Sequence, residues 1–236
     1  MRLRIATLAL AAMASAPAAA QSVRTDHGNV VYVSRAGAAR TLTRAGRDSS
    51  AVLSPDGRTI AFVRHTGRRV HSSPLEDDST LLFVADARTG RTRLLVRARS
   101  DNRPGRTLAG FADLAFTPSG RTLYFTSAAW VTSGAVHGVD VATGREWYVC
   151  PGNMVEVVPR GEYRGDLIVG QHRYFLGEGS YDWTWLVTPA GKDVGPIGET
   201  DEQLEQFKEL YVRPQRRTPA TRRRTTAPAP ASPDRR

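Results

Sequence analysis

The chain of 236 residues has a single cysteine, Cys150. No intramolecular disulfide can form, so stability has to come from apolar burial. A lone cysteine at the end of an apolar segment reads as a buried structural residue in preference to a reactive thiol. Long apolar runs are also missing. Past the first twenty residues nothing approaches the roughly 18 consecutive apolar residues that a spanning helix needs, so no transmembrane segment is expected. Metal-ligand spacing is absent too: His27, His65, His71, His137 and His172 are dispersed, with no His-x-x-x-His and no Cys-x-x-Cys. There is no phosphate-binding P-loop and no Gly-x-Gly-x-x-Gly fingerprint. No cofactor is therefore expected. The run Gly177-Glu178-Gly179-Ser180-Tyr181 sets a serine beside glycines but lacks Gly-x-Ser-x-Gly, and reads as a glycine-rich loop.

The formal charge of +10 is concentrated at the two ends of the chain. Arg2 and Arg4 precede the apolar run 5–13 and the small residues Ala18-Ala19-Ala20, the layout of a secretory signal cleaved before Gln21. From Arg213 onward the tail holds eight arginines against the single acid Asp234. Between them, residues 21–212 carry 23 basic and 22 acidic groups, so a basic nucleic-acid-binding face on the body is unsupported. The tail 213–236 is Arg, Pro, Thr and Ala with nothing to bury, and reads as disordered. Its arginines would either attract an anionic envelope surface or serve only to solubilise.

What the body does have is repetition. Ser54-Pro55-Asp56-Gly57-Arg58, followed by an apolar strand, returns as Thr117-Pro118-Ser119-Gly120-Arg121 with a second such strand. Each copy reads as strand, turn, strand, with proline fixing φ at one corner and Gly57 or Gly120 free to take φ > 0 at the next. A degenerate third copy runs 155–169 around Pro159-Arg160-Gly161. A second hairpin type alternates with the first, at 29–44, 81–96, 136–150 and 183–197. Its turn glycines Gly37, Gly90, Gly144 and Gly191 are 53, 54 and 47 residues apart, spacing that marks a repeat architecture. The count is half a unit followed by three four-stranded units, about fourteen strands. Thr200-Asp201-Glu202-Gln203 is a capping box. Leu204, Phe207 and Leu210/Tyr211 then recur at helical spacing to Pro214, which predicts one amphipathic helix over 199–212 docked on the β body.

The Ser-Pro-Asp-Gly-Arg turn with its apolar-aromatic strand resembles the repeat of the TolB-like and WD40-like (PD40) β-propellers. The Asp86 and Asp140 turns, Asp-Ala-Arg-Thr-Gly and Asp-Val-Ala-Thr-Gly, are similar to that family's outer hairpins. The resemblance covers about residues 29–197. It implies an all-β propeller-like array of about three and a half blades over 21–198. Propellers close with four to eight blades, so this array would close as a small ring, pair with a second copy, or stay open. A β-sandwich is the other all-β arrangement that short strands and Gly/Pro turns allow. The resemblance also implies a non-catalytic periplasmic or secreted protein that binds a protein or envelope component. A glycan or peptide hydrolase using blade-loop carboxylates is the competing class, and a propeller fragment serving as a lid to a partner is a third.

Two stretches are candidates for binding. The copies of the first motif lie 63 residues apart and the Thr-Gly turns 54, which places a long loop at 65–79. Arg68, Arg69 and His71 offer donors there and Glu76, Asp77 and Asp78 acceptors, a mixture suited to a protein or peptide. The second is Tyr181, Trp183 and Trp185, which alternate and so share one face of a strand. They serve either as a platform for a sugar or peptide or as packing against the next unit.

Overall fold

The computed structural model describes residues 20–69, 78–130 and 133–214, with the backbone alone at positions 68, 69 and 78. Runs rich in Val, Ile, Phe, Tyr and Thr, cut by glycine turns, make fifteen strands among these residues. Ser22–Asp26 (β1), Asn29–Val33 (β2) and Ala39–Thr41 (β3) form a three-stranded sheet. Asp48–Leu53 (β4), Thr59–Arg69 (β5), Asp78–Asp86 (β6) and Thr92–Arg97 (β7) form the second sheet. Ala112–Phe116 (β8), Thr122–Ser127 (β9), Ala135–Asp140 (β10) and Glu146–Pro151 (β11) form the third. Met154–Val157 (β12), Leu167–Tyr174 (β13), Ser180–Val187 (β14) and Asp193–Gly198 (β15) form the fourth, and the helix α1 spans Asp201–Tyr211. Every sheet is an antiparallel meander in chain order.

The sheets lie face to face, which explains why the central strands read as continuous apolar runs instead of alternating ones. In β5, Ile60 and Phe62 join the core shared with the first sheet, while Ala61 and Val63 join the core shared with the third; all four are fully buried. In β9, Leu123 and Phe125 face the second sheet and Tyr124 the fourth. In β13, Leu167 and Val169 face the third sheet, and Ile168 faces α1. The leading strands β4, β8 and β12 follow one another along one side of a propeller-like array, and β1 packs against β4. The sheets do not close into a ring. Where the next sheet of a ring would stand, α1 packs Leu204, Phe207 and Tyr211 over Val158, Ile168 and Leu186. The stacking of four sheets rules out the two-layer sandwich, and the sheets of the single chain do not close into a small ring by themselves.

The turn motif has a physical account. Gly57 and Gly120 sit at φ 72° and 70°, and their amides donate to the carbonyls of Ser54 and Thr117, both at 2.8 Å. Ser54 Oγ accepts from the Thr59 amide at 2.9 Å and donates to Asp56 Oδ1 at 2.6 Å. That bond, with a second from the Arg58 amide, holds the Asp56 carboxyl below its ordinary value. Thr117 and Ser119 reproduce the box more weakly, at 3.1–3.2 Å.

Two expectations are corrected. The first sheet has three strands, because β1 was not legible: Ser22-Val-Arg-Thr-Asp26 holds one apolar residue. Matched by turn, β1 is the counterpart of β5, β9 and β13, so the first sheet has no equivalent of β4, β8 and β12. The long loop is partly strand. Hydrogen-bonded pairing carries β5 and β6 outward past His65↔Thr80 to Arg69↔Asp78, so the extra residues first lengthen a hairpin. At the other end of the chain α1 begins with the expected capping box, Thr200 and Gln203 each accepting from the other's backbone. Tyr211 lies on its docked stripe, and Leu210 is 63% exposed.

Candidate functional site

In each four-stranded sheet the turns after the first and third strands project from one end and the loop between the second and third strands projects from the other. Both sequence candidates lie at this second end. Of the first, Arg68, Arg69 and Asp78 occupy strand positions in β5 and β6. His71, Glu76 and Asp77 lie outside the described residues. His65 is half-buried, with its Nε2 3.0 Å from Ser49 Oγ.

The second candidate is a projecting hairpin. β13 and β14 are eight residues each and pair to the tip, Tyr174↔Ser180. One face carries Trp185, Trp183 and Tyr181 from β14, with Phe175 at the turn. Trp185 packs into the core between sheets three and four. Outward from it the rings are half-buried and contiguous: Trp183 to Tyr181 is 4.9 Å between centroids, and Tyr181 to Phe175 is 4.7 Å. The row therefore divides, one ring in the core and the others on the surface. At the tip, Tyr174, Phe175 and Leu176 are 69%, 54% and 110% exposed. Apolar surface of this kind, gathered on one projection, is unusual outside contact sites.

The base of the hairpin is held stiffly. Arg173 lays its guanidinium 3.7 Å from the Trp185 ring centroid, donates to Gln171 Oε1 and pairs with Asp193 at 2.7 Å. Gln171 in turn donates to the Pro151 carbonyl at 2.9 Å, linking the hairpin to sheet three. On the opposite face His172 pairs with Asp182 at 2.9 Å and stands edge-on to Tyr174. Alternation in β14 signalled the ladder, but the cross-strand role of Arg173 has no local signal, since its partners come from three strands.

A buried polar cluster in sheet three was also invisible in the sequence. His137 is fully buried, stacked on Phe125 and edge-on to Tyr148. Its Nδ1 lies 2.6 Å from Glu146 Oε1, and Arg99 donates to Glu146 Oε2 at 2.8 Å. Burial pushes the Glu146 carboxyl up, but the bonds from His137 and Arg99 outweigh it and leave the group below its ordinary 4.5. A lowered folded value means that the stabilisation is full above the unfolded value and is lost as pH falls through the folded one. Melting temperature should thus decline with acidification below about pH 4.5, and Glu146→Gln should flatten that part of the profile. At pH 7 the same substitution should cost about 1.5–3 kcal/mol, since a charged buried hydrogen bond is weakened. Thermal melts of both proteins between pH 3 and 7 check this; parallel profiles would exclude the role.

Cys150 is buried near the end of β11, and burial pushes its thiol up to about 12, so it stays protonated at neutral pH. Among the described residues no three His, Cys, Asp or Glu side chains gather in a way that would hold a metal ion. No helix among them is long and apolar enough to cross a membrane.

No protein-family model matches the sequence, and no curated protein matches it. Solved structures do resemble it. A protein assigned as TolB from Agrobacterium tumefaciens superposes with a TM-score of 0.49 at 12% identity, over 76% of this chain and 62% of that one. Dipeptidyl peptidase 4 of Porphyromonas gingivalis gives 0.48 at 11%, over 76% and 31%. The β-propeller domain of the Trilobed protease from Pyrococcus furiosus, described as having an open velcro topology, gives 0.47 at 14%, over 73% and 49%. The chain thus spans less than two thirds of the length of each of these proteins.

Proposed function

We propose that this is an exported, non-catalytic binding protein that meets a partner protein or envelope component through the aromatic hairpin β13–β14. The observation that carries the proposal is the ladder Phe175–Tyr181–Trp183 with the exposed tip Tyr174-Phe175-Leu176, mounted on a base that Arg173 fixes to three strands. Aromatic rings held rigid before contact lose little entropy on binding, and such anchors dominate interface energetics. Export rests on the signal-like first twenty residues.

A hydrolase would need a carboxyl raised by its surroundings and a second one facing it. Asp166 is raised by burial, and the ionisable group it acts on is Tyr124. Asp56, Asp86, Asp140 and Glu146 all shift the other way. Among the described residues these directions support binding ahead of hydrolysis.

The test is capture from envelope extract by the immobilised full-length chain. The double variant Phe175→Ser/Leu176→Ser and the single variant Trp183→Ala should each reduce capture tenfold or more while the circular dichroism spectrum stays β-like. Undiminished capture by both would overturn the hairpin as the contact. If deletion of 70–77 then abolished capture, the long loop of sheet two would take its place.

A further inference from the structure

The near-neutral body is not neutral everywhere. Four turns end in Gly-Arg, at Arg58, Arg91, Arg121 and Arg145, and every one of them lies at the turn end of its sheet, away from the aromatic hairpin. The acids of those turns are already engaged. Asp56 accepts from Ser54 and the Arg58 amide, Asp86 from the amide and hydroxyl of Thr89, and Asp140 from those of Thr143. The turn geometry engages the Oδ1 of each of these carboxylates, and the nearby guanidinium groups of Arg58, Arg88 and Arg121 act on them through space without a hydrogen bond or close ion pair among the described residues.

Between the first and second sheets this end opens into a cleft of ≈ 630 Å³, in the size range of small-ligand sites. Arg35, Arg40, Arg58 and Arg88 line it together with Asp56 and Asp86. Arg40 spends one nitrogen on the Ala87 carbonyl at 2.5 Å. Arg35, Arg58 and Arg88 have no hydrogen-bond or ion-pair partner for their side chains among the described residues. Tyr32, whose hydroxyl accepts from Gln21 at 2.5 Å, adds a polar wall. With four guanidinium groups against two carboxylates, the lining carries an excess of two positive charges.

We propose that this cleft binds a compact ligand bearing two oxyanion charges, gripped by Arg35, Arg58 and Arg88. Guanidinium forks match carboxylate and phosphate oxygens two at a time, in short charge-assisted bonds. Charge balance sets the ligand: a dianion neutralises the lining, and a more highly charged one would meet Asp56 and Asp86. Phosphoryl and dicarboxylate compounds share this chemistry. The site is independent of the aromatic hairpin, at the opposite end of the sheets.

Calorimetric titration of the full-length chain at low salt and about pH 8, where both probes are chiefly dianions, with inorganic phosphate and succinate tests the proposal. At least one probe should bind at a single site, and Arg58→Ala and Arg88→Ala should each weaken it tenfold or more, with Arg88→Lys recovering part of the loss. Arg145→Ala, at the same end but outside the cleft, should leave affinity within twofold. Binding by phosphate alone would assign a phosphoryl ligand, and by succinate alone a dicarboxylate. Absence of binding by both, or an equal loss in Arg145→Ala, would overturn the site and reduce the cleft to diffuse surface charge.

Discussion

Replacing Gly191 by alanine is expected to cost about 3 kcal/mol or more, whereas Gly37→Ala should cost about 1 kcal/mol. The two glycines hold equivalent turns at nearly the same backbone angle, φ 80° and 78°. Their surroundings differ. A Cβ on Gly191 would stand 2.1 Å from the Val149 carbonyl oxygen of β11, while one on Gly37 meets nothing within 4 Å. Gly37→Ala therefore reports backbone strain alone. In Gly191→Ala the obstacle is backbone, which cannot rotate away as a side chain can, so the β14–β15 turn has to lift off sheet three. For a body of this size the larger loss corresponds to a fall of roughly 6–12 °C in melting temperature. Differential scanning calorimetry of the pair decides the matter, and equal falls would mean that the turn does not press on its neighbour. Gly57→Val belongs between them, because the atom its Cβ would meet is the Gln21 side-chain oxygen, at the end of a flexible side chain.

Truncation after Gly198, which removes α1, should have the largest effect of all. The helix withdraws Leu204, Phe207 and Tyr211 from Val158, Ile168 and Leu186, which are at most 4% exposed in the intact protein. Re-exposing three such side chains forfeits roughly 5–8 kcal/mol, comparable with the whole stability of an ordinary domain. The expected outcome is a fourth sheet that loses cooperative melting, binds a hydrophobic dye and is cut by protease between β12 and β15. Truncation after Val212 keeps the docked stripe and serves as the control. If the shorter chain melted with the control, the helix would be an ornament and the outer face of sheet four would be stable bare.

Much of the fold was legible because its determinants are local. The Pro-x-Gly and Thr-Gly turns announce themselves in five or six residues, and the capping box at Thr200 fixes the helix start. β1 escaped because an exposed strand such as Ser22–Asp26 has almost no apolar pattern to show. The size of the 65–79 insertion was readable from spacing, yet its conversion into strand depends on pairing between Arg69 and Asp78, a partnership that sequence does not display. In the site, Tyr181 and Trp183 were found by alternation, but alternation could not tell Trp185, which packs against the core between sheets three and four, from its half-buried neighbours farther out. That distinction depends on where sheet three ends. The cleft arginines were hidden differently: a charge total of nearly zero conceals which carboxylates are already spent inside turns.

The meander topology also bears on how the chain acquires its shape. Each strand pairs only with its sequence neighbours, so no long segment has to be searched for and every sheet can form as its own residues become available. Each finished sheet then offers a template for the next: Gly90 comes to rest near Leu42, Gly144 against Leu95, Gly191 against Val149. During synthesis such growth would run from amino to carboxyl end, with α1 added after the fourth sheet. A chain emerging amino-terminus first would build this body like a stair, each tread resting on the one before, and would expose a sticky apolar face at its growing end until the final eleven-residue helix seals it.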